Sequence, residues 1–201
     1  MPTHLLFPTL VYSAKLRSGA SHLNERLRRE CIQLEHDDAA GRRWSAQNYP
    51  GGYTSYGSAS RMHERSPTFA QLARHLDRHV QKFVRSLHFD LKGRSLTMTD
   101  CWVNIMRPRV LHSLHLHPLS TISGTYYVQT PRGSPGLKVE DPRLDRFMAS
   151  PPRAAGRNPA WVTLPADEGK LLLFESWLRH EVPMHAGRSP RISISFNYNW
   201  F

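Results

Sequence analysis

The last stretch of the chain, Arg191 to Phe201 (RISISFNYNWF), alternates apolar and polar residues with a period of two. A β-strand sends successive side chains to opposite faces. Ile192, Ile194 and Phe196 therefore face one side, and Arg191, Ser193, Ser195 and Asn197 the other. Such a strand either keeps its polar face in water or turns it into a barrel cavity. Five more runs rich in β-formers precede it, separated by turn residues: Leu96–Met106, Ser120–Gln129, Gly136–Glu140, Ala160–Leu164 and Lys170–Phe174. All of them follow Gly93.

The first half reads differently. Leu23, Leu27, Cys31 and Leu34 recur at helical spacing, with Ser21 placed as an N-cap. Trp44 to Ser60 (WSAQNYPGGYTSYGSAS) is rich in Gly, Ser and Tyr and reads as a loop lining a site. A second helix opens with Ser66 as cap and Pro67 at its first position. Phe69, Leu72, Leu76, Val80, Phe83, Val84 and Leu87 form its apolar stripe, and His75 and His79 lie off it. The expected fold is mainly β with flanking helices. Residues 1–92 form a helical and loop support, and 93–201 a jelly-roll core, within one domain.

Composition narrows the classes. Apolar residues make up 39% of the 201-residue chain, which excludes a disordered polymer. No run approaches the ~20 apolar residues that span a bilayer. The N-terminus has no basic segment leading into an apolar one, so no signal peptide is expected. Two cysteines, Cys31 and Cys101, make no disulfide framework and fit a reducing cytoplasm. The net charge of +11 invites nucleic acid, but the arginines are scattered without a run, so nucleic acid is not the expected partner.

Twelve histidines are an excess, and three fall in His112-Ser-Leu-His115-Leu-His117. An i, i+2 pair on a strand points both imidazoles to one face and offers a metal two ligands. A third must come from far along the chain, with His180 and His185 as candidates. Ten residues lie between His180 and Arg191, and Ser193 shares the Arg191 face. A guanidinium fork backed by a hydroxyl suits one end of a dicarboxylic acid.

The order His115-x-His117, Ser123-Gly-Thr-Tyr-Tyr127, Glu140-Asp141-Pro142, Gly169-Lys-Leu-Leu-Leu-Phe174, His180-Glu-Val and Arg191-Ile-Ser193 resembles the non-haem Fe(II)- and 2-oxoglutarate-dependent oxygenases. The stretches HLHPLSTISGTYYV, EDPR, LLLFESWLRHEV and RISISFN resemble a small, mostly uncharacterised bacterial and phage group among them. The resemblance covers Trp102 to Asn197. It implies a double-stranded β-helix with iron at its mouth, held by His115 and His180. Arg191 and Ser193 would take the distal carboxylate of 2-oxoglutarate, and Ser123, Tyr127 and Asn104 would touch it. Dioxygen would be the other cosubstrate, and hydroxylation with release of succinate and carbon dioxide the default reaction.

One departure stands out. The usual H-x-D or H-x-E carboxylate position is His117 here. The centre is then either a three-histidine triad or is completed by another carboxylate, with Asp141 the first stand-in and Glu181 a poorer one. The substrate is expected to be a small molecule or peptide-like. Arg107, Arg109, Arg143, Arg146, Arg153 and Arg157, with Tyr49, Tyr53 and Tyr56, would give it a basic, aromatic mouth and so suit an acidic group. Two other classes stay open: a three-histidine cupin-like dioxygenase that uses no 2-oxoglutarate, and a degenerate binding module. The oligomeric state is not readable.

Overall fold

The computed structural model describes residues 3–4, 6–16, 20–143, 148–149, 151 and 160–200. Ten strands form two antiparallel sheets among these residues. They are β1 (Val11–Lys15), β2 (Tyr53–Thr54), β3 (Thr97–Met106), β4 (His112–His115), β5 (Ile122–Gln129), β6 (Leu137–Glu140), β7 (Trp161–Leu164), β8 (Lys170–Glu175), β9 (His180–Val182) and β10 (Arg191–Asn199). The larger sheet runs β1-β8-β5-β10-β3-β2 and the smaller β4-β9-β6-β7. Four helices accompany them: α1 (Ala20–Asp37), α2 (Ala39–Asn48), α3 (Met62–Arg65) and α4 (Pro67–Ser86).

The period-two pattern of β10 sets the layers. Ile192, Ile194, Phe196 and Tyr198 join a core that includes Leu23, Leu27 and Cys31 of α1 and Phe69, Leu72, Leu76, Val80 and Phe83 of α4. Each of the larger side chains there contributes about 1.5–3 kcal/mol by leaving water. Ser66 begins α4 by accepting from the Thr68 and Phe69 amides, with Pro67 at the first helical position, as expected. On its other face the large sheet meets the small one. Met106, Tyr127, Leu172 and Phe174 pack there with Leu137, Val139, Leu178 and Val182. This is the expected jelly roll with helices outside.

Three expectations need correction. Helix α1 begins at Ala20, so Ser21 sits in its first turn rather than at the cap. Trp44 to Ser60 is not all loop. Asp38 caps α2 by accepting from the Gly41 amide at 2.8 Å, which carries helix through Asn48. Tyr53 and Thr54 then pair with Ile105 and Asn104 as an edge strand. The chain also begins its sheet early: β1 pairs with β8 from Val11↔Phe174 to Lys15↔Lys170. No helix among the described residues is long and apolar enough to cross a membrane.

Candidate metal centre

Strands β4 and β9 place His115 directly opposite His180. Their ring centroids are 4.3 Å apart. A register shift between His112 and His115 puts an extra residue on β4. Three positions apart on a regular strand would point these two rings to opposite faces. With the shift, the His112 ring stacks on that of His115 at 4.6 Å. His117 lies just past β4, where its amide donates to the Ser176 carbonyl. Its ring is 5.1 Å from that of His180. One ligand atom from each of His115, His117 and His180 lies within 4.8 Å of the others.

The hydrogen bonds decide which nitrogens those are. The Nδ1 of His115 meets the Ser113 carbonyl at 2.7 Å, and that of His180 meets the Leu178 carbonyl at 2.8 Å. A carbonyl can only accept, so both Nδ1 atoms carry the proton and both Nε2 atoms keep a lone pair. His117 Nδ1 meets Asn197 Oδ1 at 2.7 Å. The Asn197 amide is oriented by its Nδ2 facing Asp100 and by the Ser123 hydroxyl donating to Oδ1. His117 therefore also donates from Nδ1. Burial holds these rings neutral: it lowers the pKa of His180 to about 3 and that of His117 to about 4, against the opposing pull of the Asn197 bond, and lowers that of His115 as well. Three neutral imidazoles with free Nε2 atoms suit iron, copper, nickel or zinc.

The three rings open onto a cavity between the sheets that Asn104, Arg191, Ser193 and Ser195 also line. These come from the inward faces of β3 and β10, where Ser193 pairs with Asn104. Arg191 is 3% exposed. Its Nη1 donates to Ser193 Oγ at 3.2 Å, and its guanidinium lies 5.0 Å over the Tyr127 ring. No acid pairs with it among the described residues, and its Nε has no partner. Asn104 gives its Nδ2 to Ser195 and leaves Oδ1 without a partner; Tyr49 leaves its hydroxyl so. An uncompensated buried guanidinium costs several kcal/mol, and an anion in the cavity would offset that cost.

Of the remaining sequence candidates, His112 lines the same cavity, and burial lowers its pKa to about 3. His185 is occupied at both nitrogens, by the Ser189 carbonyl and the Gly133–Gly187 backbone. Asp141 binds Arg143 Nε at 2.9 Å, and Glu181 binds Lys138 at 2.8 Å; neither belongs to the ligand cluster. Ser123 does not line the Arg191 cavity but bonds Ser176 and Asn197 behind His117. Tyr53 faces the helical core, because its partner Ile105 is a core residue, and its hydroxyl donates to Asp38. Arg107 pairs with Glu35, and the Arg109 amide binds the His185 carbonyl. Neither they nor Arg143 line the cavity at the histidines. Arg146, Arg153 and Arg157 lie outside the described residues. Sequence reasoning put Asn197 on the right face but missed its bond to His117, which joins residues 80 positions apart.

Solved structures share this fold. A Pseudomonas putida prolyl-4-hydroxylase superposes with a TM-score of 0.62 at 14% identity, covering 95% of this chain and 92% of that one. The non-haem alpha-ketoglutarate-dependent epimerase SnoN from nogalamycin biosynthesis gives 0.66 at 13%, covering 95% and 78%. An oxidoreductase of the 2OG-Fe(II) oxygenase family from Burkholderia pseudomallei gives 0.50 at 14%, and this chain spans only 59% of that one while 67% of its own length is matched. No curated protein matches in sequence. Residues 100–197, just under half of the chain, match the family described as "Putative 2OG-Fe(II) oxygenase", and they carry His115, His117, His180, Asn104, Arg191 and Ser193 on a double-stranded β-helix fold.

Proposed function

We propose that the chain is an iron- and 2-oxoglutarate-dependent oxygenase that hydroxylates a small-molecule or peptide-like substrate. One observation carries this reading: three converging Nε2 atoms and a buried, acid-free Arg191 share one cavity. A dicarboxylate is the anion that uses both ends of that cavity. The fold shared with a prolyl-4-hydroxylase and an alpha-ketoglutarate-dependent epimerase supports the class, and because those two differ in reaction, hydroxylation rests on the default chemistry.

His115, His117 and His180 would hold the metal through Nε2. Bound there with 2-oxoglutarate and dioxygen, iron supplies oxidising power by coupling oxidative decarboxylation to succinate with attack on a substrate C–H bond. The protein's own task is placement. Arg191 and Ser193 fix the far carboxylate, and the Tyr127 ring supports the guanidinium. Asn104 Oδ1 stays available for a donor on a bound molecule. Asn197 and the Ser113 and Leu178 carbonyls hold the imidazole protons on Nδ1. With all three protein ligands neutral, the full charge of a divalent metal is left to attract a dianion.

The test is incubation with Fe(II), ascorbate and 2-oxoglutarate under 18O2. Succinate carrying one labelled oxygen supports the reading. Failure of the iron-loaded protein to bind 2-oxoglutarate overturns it in favour of a dioxygenase that uses no keto-acid. Failure to bind iron overturns it in favour of a binding module.

A further inference from the structure

A second cleft opens on the outer side of the three histidines. It shares Tyr49, Trp102, His112, His115 and His117 with the inner cavity and continues between Trp44, Tyr56 and Leu116. Its walls are aromatic. Trp44 meets Tyr56 edge-on at 6.3 Å, Tyr56 meets Trp102 edge-on at 5.1 Å, and Trp102 lies 5.6 Å from the His117 ring. Tyr56 remains 51% exposed.

The glycine-rich segment explains how these rings are seated. A Cβ on Gly57 would stand 2.8 Å from the Trp44 indole, and one on Gly52 would enter the Tyr49 ring. Both rings lie flat against backbone that only glycine leaves bare. The Trp44–Ser60 stretch therefore has a physical purpose: it fixes two aromatic walls of the cleft.

The lining contains no Asp, Glu, Lys or Arg. In a chain of net charge +11 this neutrality is a local exception. A cationic guest would find no carboxylate here, and an anionic one no ammonium or guanidinium. Polar edges are present in Asn48, Thr54 and Ser113. The cleft holds about 240 Å³, whereas an apolar cavity of about 150 Å³ takes up benzene. That is room for a substituted ring or a fused pair.

We infer that this cleft binds the reacting end of the substrate, and that this end is an uncharged aromatic ring or fused bicycle with a hydrogen-bonding edge. The inference rests on the oxygenase reading for the identity of the guest as substrate. Aromatic pairing adds to area burial, which separates a flat guest from a saturated one of equal size.

The probes are 2-naphthol, its saturated counterpart decahydro-2-naphthol, and 2-naphthoate, followed by saturation-transfer NMR on the full chain. Expected is binding of 2-naphthol about tenfold tighter than either of the others. Trp44→Leu and Tyr56→Leu, which keep apolar bulk, should each erase most of that preference. Equal affinity for the three probes, or an unchanged preference in both variants, overturns the inference. Iron and 2-oxoglutarate binding are measured on the same samples. Normal cofactor binding without ring preference defeats this inference alone. Ring preference without 2-oxoglutarate binding defeats the oxygenase reading and leaves the aromatic cleft standing.

Discussion

His115 faces His180 across the β4–β9 ladder, and each gives its Nδ1 proton to the carbonyl two residues before it, Ser113 and Leu178. The two candidate ligands are thus oriented by their own strands. His180→Ala or His115→Ala should weaken Fe(II) or Co(II) binding by at least about 100-fold while circular dichroism stays native. Metal titration by competition with a chelator reads this directly.

The third candidate ligand, His117, depends on a distant partner. Asn197 accepts from His117 and from Ser123, and its amide faces Asp100. Asn197→Ala should lower metal affinity about 10–100-fold, the usual effect of removing such a support. The Co(II) absorption spectrum should shift with it. An unchanged spectrum and affinity would show that His117 needs no orienting acceptor.

Arg191 sets function against stability. It is buried without an acid among the described residues. Arg191→Met should stabilise the ligand-free chain by an amount on the order of 1 kcal/mol, seen as a raised melting temperature. The same variant should lose the stabilisation that saturating 2-oxoglutarate gives the metal-loaded wild type, about 2.7 kcal/mol at 100 times Kd. Thermal scans with and without 2-oxoglutarate check both halves.

Gly124 lies on β5 against Leu172 and Phe196. An added Cβ would sit 2.5 Å from the Leu172 carbonyl and from the Phe196 ring. Gly124→Ala should cost about 1–3 kcal/mol through overpacking. Urea unfolding should show it as a lowered midpoint with an unchanged slope.

The Tyr12 hydroxyl of β1 and His79 Nδ1 of α4 share a hydrogen bond of 2.8 Å. Burial first, then Lys82, Arg78 and His75, lowers the His79 pKa below its ordinary value of 6.5. The unfolded chain then takes up the proton at a higher pH than the folded one. The stability that depends on a neutral His79 is full above about pH 6.5 and is lost as pH falls through the lowered value. His79→Gln should make the melting temperature fall less steeply between pH 6.5 and 5 than in the wild type.

Alternation in β10 was enough to separate Ile192, Ile194 and Phe196 in the helical core from Arg191, Ser193 and Ser195 in the cavity. The α4 stripe was legible for the same reason, since burial imposes a period on the sequence. Strands β2 and β9, of two and three residues, escaped because their length gives no period to read. Tyr53 and Tyr56 look alike in sequence, yet pairing with Ile105 sends Tyr53 to the core, while Tyr56 lines the aromatic cleft. Asn197 as the partner of His117, and the register shift that turns His112 toward His115, are long-range facts of sheet geometry without a local signature.

The central claim is that the three histidines and Arg191 together make one chelate site. Anaerobic titration of the metal-free chain with Fe(II) and then 2-oxoglutarate tests it most directly, by the visible metal-to-ligand charge-transfer band. The account predicts a band in the wild type, none in His180→Ala, and in Arg191→Ala a band only at much higher 2-oxoglutarate. Iron binding with no band in the wild type, or an equal 2-oxoglutarate affinity in Arg191→Ala, would contradict it.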